Sequence, residues 1–436
     1  MMRHLAAVTV FVLLGVAELY GETLLDHTTG KPVRYAGKYS GAAVELPRYR
    51  PRAREFRGVW VATVENLDFP LHQNAEDFRR DYLKLVDNIA GANFNAVIFQ
   101  IRPTCDAFYP SKINSWSQSL AGTDGVGIRN FDPLRFMVDE AHKRGLEFHA
   151  WFNPYRVAKT KLGKRAYLKA LSQNNFARRN PHLVLSVPQP GGSNLLILDP
   201  GEPAVMRHIV ETVREVVVNY RIDAVHFDDY FYPYSGFTDQ DAATYRRYGG
   251  KTAIDDWRRN NVTTVITAIR RGLNERNRNS KHKVRFGISP FGIWGNRSSL
   301  KAGSPTGGLQ SYFVQHADTR LWVKKGYIDY IIPQLYWPFS HETAAYAALA
   351  DWWSDTVRGT RTKLFIGHAA SSLGSSPRWG TMELANQVRY NSKRPEISGS
   401  ALFSYRHVFN PANRVQKRGV GYVLKNYWNK RAAMPW

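Results

Sequence analysis

IDAVHFDDYFYP, residues 222–233, is the stretch that decides how this chain folds. Successive side chains of a strand point to opposite faces. Val225 and Phe227 therefore share one face, which suits a layer of covering helices. Ala224, His226 and Asp228 share the other, with Asp228 nearest the C-terminal end. A face that carries a histidine and ends in a carboxylate suits the axis of a barrel that opens at that end.

Runs of the same kind occur on both sides of it: 56–64 (FRGVWVATV), 95–102 (NAVIFQIR), 147–153 (EFHAWFN), 284–290 (VRFGISP), 329–336 (DYIIPQLY), 363–369 (KLFIGHA) and 399–405 (GSALFSY). With 222–229 they make eight. Amphipathic, helix-like stretches separate them at 75–90, 132–144, 203–219, 255–273, 311–325, 342–356, 382–391 and 412–425. Asp132-Pro133 and Asn410-Pro411 read as a helix N-cap followed by Pro at the first helical position. Strands alternating with helices predict a parallel sheet, and eight units predict closure into a (β/α)8 TIM barrel of the α/β class. A doubly wound open sheet is the structural alternative, but the Gly-rich first turn that often marks it is missing.

The same alternation sorts the other strands. Val97, Phe99 and Ile101 face helices, leaving Gln100 and Arg102 inside; Phe148, Ala150 and Phe152 face helices, leaving His149, Trp151 and Asn153 inside. Ser289, Gln334 and Tyr336 also point inward. The inward polar residues gather at the C-terminal strand ends, where barrel enzymes keep their active sites. His149 and His226 read as hydrogen-bonded interior histidines, because no His-x-His pattern or third ligand supports a metal. Asp223, at the bottom of its strand, reads as structural. No metal and no cofactor is expected.

The domain plan places a signal peptide at 1–17, an extended arm at 18–54, the barrel at 55–427 and a basic C-terminal tail at 428–436. The signal reading rests on Arg3 and His4 before an apolar run, Leu5 to Val16, with small Gly15 and Ala17 at the −3 and −1 positions. No cysteine follows, so no lipid-anchoring Cys is available. The expectation is a periplasmic or secreted protein with no stable membrane insertion after cleavage. Cys105 is the single cysteine, which excludes an intramolecular disulfide and a cysteine metal site. The segment 155–201 is too long for a simple βα connection, and its strand-like piece 195–198 is expected over the barrel mouth.

Hydrophobic residues are 43% and charged residues 22%, ordinary for a globular chain, but the net charge is +24. Such a balance fits an anionic partner. No helix-turn-helix, zinc-finger or RNA-recognition pattern accompanies it, so nucleic acid is not expected as the partner. Trp60, Trp151, Tyr155, Tyr230, Tyr232, Tyr234, Trp294, Tyr336 and Trp337 all lie at or just beyond strand ends. Rings clustered there favour a cleft in which sugar faces stack, with Asn, Gln, Arg and Asp left to bind hydroxyls.

These segments resemble glycosyl-hydrolase-like family 10. The likeness runs from about residue 54 to at least 370 and rests on motifs in order: Arg57-Gly58-Val59-Trp60, Gln100-Ile101-Arg102-Pro103 with Asp106-Ala107-Phe108-Tyr109, Trp151-Phe152-Asn153-Pro154-Tyr155-Arg156, and Leu198-Asp199-Pro200-Gly201. His226-Phe227-Asp228-Asp229-Tyr230-Phe231-Tyr232-Pro233, Ser289-Pro290-Phe291-Gly292 and Pro333-Gln334-Leu335-Tyr336-Trp337 follow. The resemblance implies an envelope barrel that hydrolyses peptidoglycan glycan strands, an anionic polysaccharide, particularly strands stripped of their peptides. Such strands expose lactyl carboxylates, and Arg102 and Arg156 would bind them as planar forks. Family members often carry a lipid-anchoring Cys, and this chain departs from them there.

Glycoside cleavage normally uses two carboxyl groups. Asp228 is expected to be one. The other stays open in the sequence: Asp229 is adjacent, and Glu65, Asp68, Asp106 and Asp199 sit on strand-end loops. A substrate-assisted route is also open. Asp223, His226 and Asp228 are spaced like the three aspartates of chitinases, but Tyr230 stands where those enzymes carry their acid Glu. Expected substrate contacts are Trp60, Gln100, Arg102, Asn153, Arg156, Tyr230, Trp294, Gln334, Tyr336 and Trp337. The rival readings are a non-catalytic polysaccharide-binding barrel, which would need no carboxylate of raised pKa, and a metal-dependent deacetylase, for which no ligand set assembles.

Overall fold

Eight strands, each parallel to both neighbours, close on themselves in the computed structural model, which describes residues 21–436. The segment read as a signal peptide lies outside the described residues. In chain order the strands are β1 (Phe56–Val61), β2 (Ala96–Arg102), β3 (Glu147–Phe152), β4 (Ala224–Phe227), β5 (Arg285–Ile288), β6 (Tyr330–Ile331), β7 (Lys363–His368) and β8 (Ile397–Leu402). Each lies beside its successor, and β8 pairs with β1 to complete the (β/α)8 barrel. The outer helices are α1 (Ala75–Gly91), α2 (Pro133–Lys143), α3 (Pro203–Asn219), α4 (Ile254–Arg278), α5 (Thr319–Lys324), α6 (Tyr346–Val357), α7 (Glu383–Asn391) and α8 (Arg414–Asn426). Asp132 caps α2 by accepting from Arg135 N, with Pro133 at the first helical position. Asn410-Pro411 does not start α8: Asn410 ends a short helix, Tyr405–Phe409, and Asn413 caps α8 instead.

Two apolar layers follow the strand alternation. Val97, Phe99, Phe148, Ala150, Phe152, Val225 and Phe227 pack under the helices. Phe56, Trp60, Ile98, Trp151, Ala224, Tyr330 and Phe365 fill the barrel. The alternation slips in one place that matters. The β2–β3 register shifts between Gln100 and Arg102, so Gln100 lies beside inward Trp151 but Arg102 lies beside outward Phe152. A one-residue bulge turns every side chain beyond it to the other face. Arg102 is therefore not an inward substrate contact. It is buried, and its Nη1 donates to the carbonyls of Asn153 (2.6 Å) and Pro154 (3.1 Å), bracing the end of β3.

Below the mouth the barrel is packed shut. The Phe56 and Phe365 rings stack 4.1 Å apart, and Trp436 closes the floor beneath them. Trp436 Nε1 donates to Glu147 Oε1 at 2.9 Å, and the Arg285 guanidinium lies 4.0 Å from its ring. Trp428 is fully buried against Phe94. Residues 428–436, read as a basic tail, thus form the floor of the barrel: two tryptophans outweigh Lys430 and Arg431, which turn outward. The arm is anchored too. Glu22–Thr23 pairs antiparallel with Glu45–Leu46, Val33, Val44 and Leu46 are buried, and Arg389 of α7 binds Glu22 at 2.6 Å.

The long connection after β3 folds into an antiparallel sheet of Arg156–Thr160, Val184–Gln189 and Ser193–Leu198, with Ser193–Leu198 in the middle. It stands beside the mouth and forms one wall of the cleft described next. Among the described residues no helix is long and apolar enough to cross a membrane.

Candidate active site

The end of β4 places Asp228 and Asp229 at the base of a cleft of about 820 Å³ in the barrel mouth. Asp228 is held from three directions. Trp151 Nε1 and Asn153 Nδ2 from β3 and its following turn each donate to Oδ2 at 3.0 Å, and the Tyr230 amide donates to Oδ1 at 3.1 Å. Asn153 also accepts from the Arg156 amide at 3.3 Å through its own oxygen, so one amide side chain ties the carboxylate to the wall. The Arg156 guanidinium lies 4.0 Å over the Tyr230 ring. Burial pushes the Asp228 carboxyl up, while Arg156 and the three donors pull it back. Burial and the neighbouring Asp228 push Asp229 up to about 7. Two adjacent buried carboxyls cannot both ionise cheaply, so near neutral pH the pair holds a proton.

A polar chain runs down the axis beneath the pair. The Trp60 indole N–H, which can only donate, meets His226 Nε2 at 3.3 Å, and Ser289 Oγ lies 3.0 Å from the same nitrogen. His226 Nδ1 lies 3.1 Å from the Tyr330 hydroxyl, which lies 2.9 Å from His149 Nδ1, and His149 Nε2 reaches Glu147 at 3.1 Å. Burial holds His226 well below its usual range, hence neutral. Both histidines are the hydrogen-bonded interior groups the sequence suggests. Among the described residues no three of His, Cys, Asp and Glu gather as a metal-binding group. Asp223 binds His142 (2.7 Å) and the Phe148 amide (2.8 Å) at the foot of the strands. The chitinase-like spacing therefore brings no third carboxyl to the mouth.

Of the expected contacts, Trp60, Gln100, Arg156, Tyr230, Gln334 and Tyr336 line the cleft, while Asn153 sits just beneath it. Gln334 is held by its Nε2 on Ser289 O at 2.9 Å, and its side chain pulls the Asp229 carboxyl down against the effect of burial. Tyr336 is half-buried at the cleft beside Asp229, and desolvation of its hydroxyl, with that carboxyl, drives its pKa well up. Trp294 and Trp337 do not line the cleft. Trp294 stacks on Trp352 and donates to Asp318 at 3.0 Å, and Trp337 packs edge-on to Phe291 at 5.2 Å. Both follow their strands by enough residues for the chain to have turned away from the axis. Tyr155 and Tyr232 are likewise buried in the outer core.

The cleft also takes in residues that no strand alternation marks: Lys159, Tyr167 and Gln189 from the segment after β3, Gln118 and Ser119 from a short helix, and Phe403 beyond β8. Lys159 lies past a register shift between Arg156 and Ala158, so counting residues from Arg156 misplaces it.

Four loop carboxylates were candidates for the opposite wall. Asp68 is consumed by the Ala62 and Arg406 amides and the Ser404 hydroxyl, at 2.8–2.9 Å. Asp106 and Asp199 are buried away from the cleft, and burial pushes each up to about 6. Glu65 lines the cleft and is exposed. It and Asn66 are consecutive left-handed residues, at φ 53° and 51°. That conformation costs a non-glycine residue about 1–2 kcal/mol.

Parallel barrels do their chemistry at this mouth, and the fold together with the family and relatives that follow puts the protein in the class of (β/α)8-barrel glycoside hydrolases. The chain belongs to the glycosyl hydrolase-like 10 family, whose model matches residues 55–381. Glycosyl hydrolase YngK of Bacillus subtilis (strain 168) is 42% identical over 361 residues, 80% of this chain and 68% of that protein. Glycosyl hydrolase DigH of Escherichia coli (strain K12) is 40% identical over 400 residues, 86% of this chain and 88% of that protein. Among solved structures, the catalytic domain of β-amylase from Paenibacillus polymyxa superposes with a TM-score of 0.52 at 10% identity, covering 86% of this chain and 99% of that one. At that identity the likeness is one of fold.

Proposed function

We propose that the protein hydrolyses the glycan strands of bacterial peptidoglycan, preferentially strands without stem peptides. The Asp228–Asp229 pair, buried at the base of the cleft, carries this reading. In it the pair supplies the proton that the leaving sugar oxygen needs as the glycosidic bond breaks. Asp229 carries that proton near neutral pH, and Asp228, fixed by Trp151, Asn153 and the Tyr230 amide, holds the charge beside it. Tyr230, Tyr234 and Tyr336 line the cleft with rings for the sugars, Gln334 offers its amide to their hydroxyls, and Trp60, Trp151 and Gln100 form the packed base beneath.

The preference for an anionic glycan is supported by the wall after β3. Between Pro154 and Leu198 the chain carries eight Lys or Arg and no Asp or Glu, and Arg156 and Lys159 of that wall line the cleft. A strand without stem peptides exposes a free lactyl carboxylate on each muramic acid, a repeating charge that such a wall attracts. A wall-polymer substrate puts the protein in the cell envelope, in agreement with the apolar run at 5–16 read as an export signal.

The test is incubation of the purified protein with peptide-free peptidoglycan strands beside an Asp228→Asn variant, with mass spectrometry of the soluble products. Oligosaccharides released by the wild type and reduced at least ~100-fold in the variant are expected, the usual loss when a positioned acid or base is removed. Binding of strands by the wild type without release of any sugar would replace the hydrolase with a polysaccharide-binding barrel.

A further inference from the structure

Asp228 and Asp229 are consecutive residues, so both carboxyls enter the cleft from the end of β4, Asp228 against Trp151 and Asn153 and Asp229 beside Gln334. Inverting hydrolysis of a glycoside uses a second carboxyl on the far face of the sugar ring to activate the attacking water. The proton that the two aspartates share makes them one functional unit, and the opposite position still has to be filled.

Among the described residues one other acidic residue lines the cleft, Glu65 on the loop after β1. In the closed barrel β1 lies three strands round from β4, toward the opposite side of the mouth. The loop is locked on both sides of Glu65. The Thr63 and Val64 amides donate to Gln100 Oε1 at 3.0 and 2.9 Å, and Asn66 Nδ2 donates to the carbonyls of Ser119 (2.7 Å) and Phe69 (3.1 Å). Those bonds hold Glu65 in a left-handed conformation that a glycine would adopt freely. Among the described residues its carboxylate has no hydrogen bond or ion pair within the protein, whereas Asp68, three residues on, has three donors. A strained, pinned backbone that holds out an unpartnered carboxylate is the pattern of a preorganised functional group.

We propose that Glu65 is the second catalytic carboxylate and activates the water that attacks the anomeric carbon. The water's proton passes to Glu65 and its oxygen bonds to the anomeric carbon. The glycosidic C–O bond breaks with its electron pair on the leaving oxygen, and that oxygen takes the proton from the Asp228–Asp229 pair. A single displacement of this kind inverts the anomeric configuration. The inference rests on the glycosidase reading.

The test compares wild type with Glu65→Gln, Glu65→Asp and Glu65→Gly on peptide-free strands, with NMR of the freshly formed reducing ends. Glu65→Gln is expected to lose ~100- to 10,000-fold in kcat with little change in KM. Glu65→Asp, a shorter carboxylate, should keep measurably more activity than Glu65→Gln. Glu65→Gly should melt at or above the wild-type temperature, because it relieves the backbone, and yet be as inactive as Glu65→Gln, which separates chemistry from folding. Glu65→Gln activity within threefold of wild type, alongside an inactive Asp228→Asn, would overturn the assignment, as would products of retained configuration. A folded wild type that cuts no glycan would overturn the glycosidase reading itself, and the Glu65 role with it.

Discussion

Replacing Asp229 with Asn keeps its shape and removes its titration, so the protein's stability should change with pH in a calculable way. Burial and Asp228 move the Asp229 carboxyl from 3.8 to about 7 in the folded state. The folded protein therefore holds a proton that the unfolded chain releases near pH 4. Below the unfolded value both states are protonated and the shift has no effect. As pH rises from about 4 to about 7 the unfolded state gains relative to the folded one, and wild-type stability falls. Three pKa units at 1.36 kcal/mol each make the full effect on the order of 4 kcal/mol. Asp106, Asp199 and Glu383, also raised by burial, act in the same direction. They are present in both proteins and cancel in the difference. Urea unfolding of wild type and Asp229→Asn at pH 4.5, 6 and 8 measures it. The variant's advantage should be small at pH 4.5, grow through pH 6 and level off by pH 8, while its hydrolysis is lost. A difference that is constant from pH 4.5 to 8 would refute the claim that the pair holds a proton in the folded state.

Lys159→Ala combined with Arg156→Ala should weaken binding of peptide-free strands tenfold or more at low salt and flatten its dependence on ionic strength, because salt screens the charges these residues supply. Binding isotherms at 20 and 300 mM NaCl check it. Trp428→Ala should destabilise the fold by about 3–5 kcal/mol, the cost of emptying a fully buried tryptophan site. Urea unfolding measures this, and a loss under ~1 kcal/mol would mean that residues 428–436 are not part of the barrel's core.

Period-two alternation carried much of the site into the sequence. At Ala224–Asp228, in β3 as far as Trp151 and at Gln334–Tyr336, a regular strand makes the face of each residue a matter of counting, so the inward set and the mouth were legible before any contact was known. Eight strand–helix repeats likewise determined closure, since each strand is covered by its own local helix. Counting failed where the backbone broke its period or turned away. One bulge put Arg102 behind β3, a second shift hid Lys159, and a few residues of loop carried Trp294 and Trp337 out of the cleft. Only tertiary structure decided the matters that join distant parts of the chain. It brought Trp436 to Glu147 and made a floor of an apparent tail. It tied Asp68 to Ser404 and left Glu65 facing the cleft. The physical reason is the range of each interaction. Side-chain direction and helix capping are settled within a few residues, whereas whether a carboxylate is consumed by the fold or left for a substrate depends on partners that the closed barrel alone brings near.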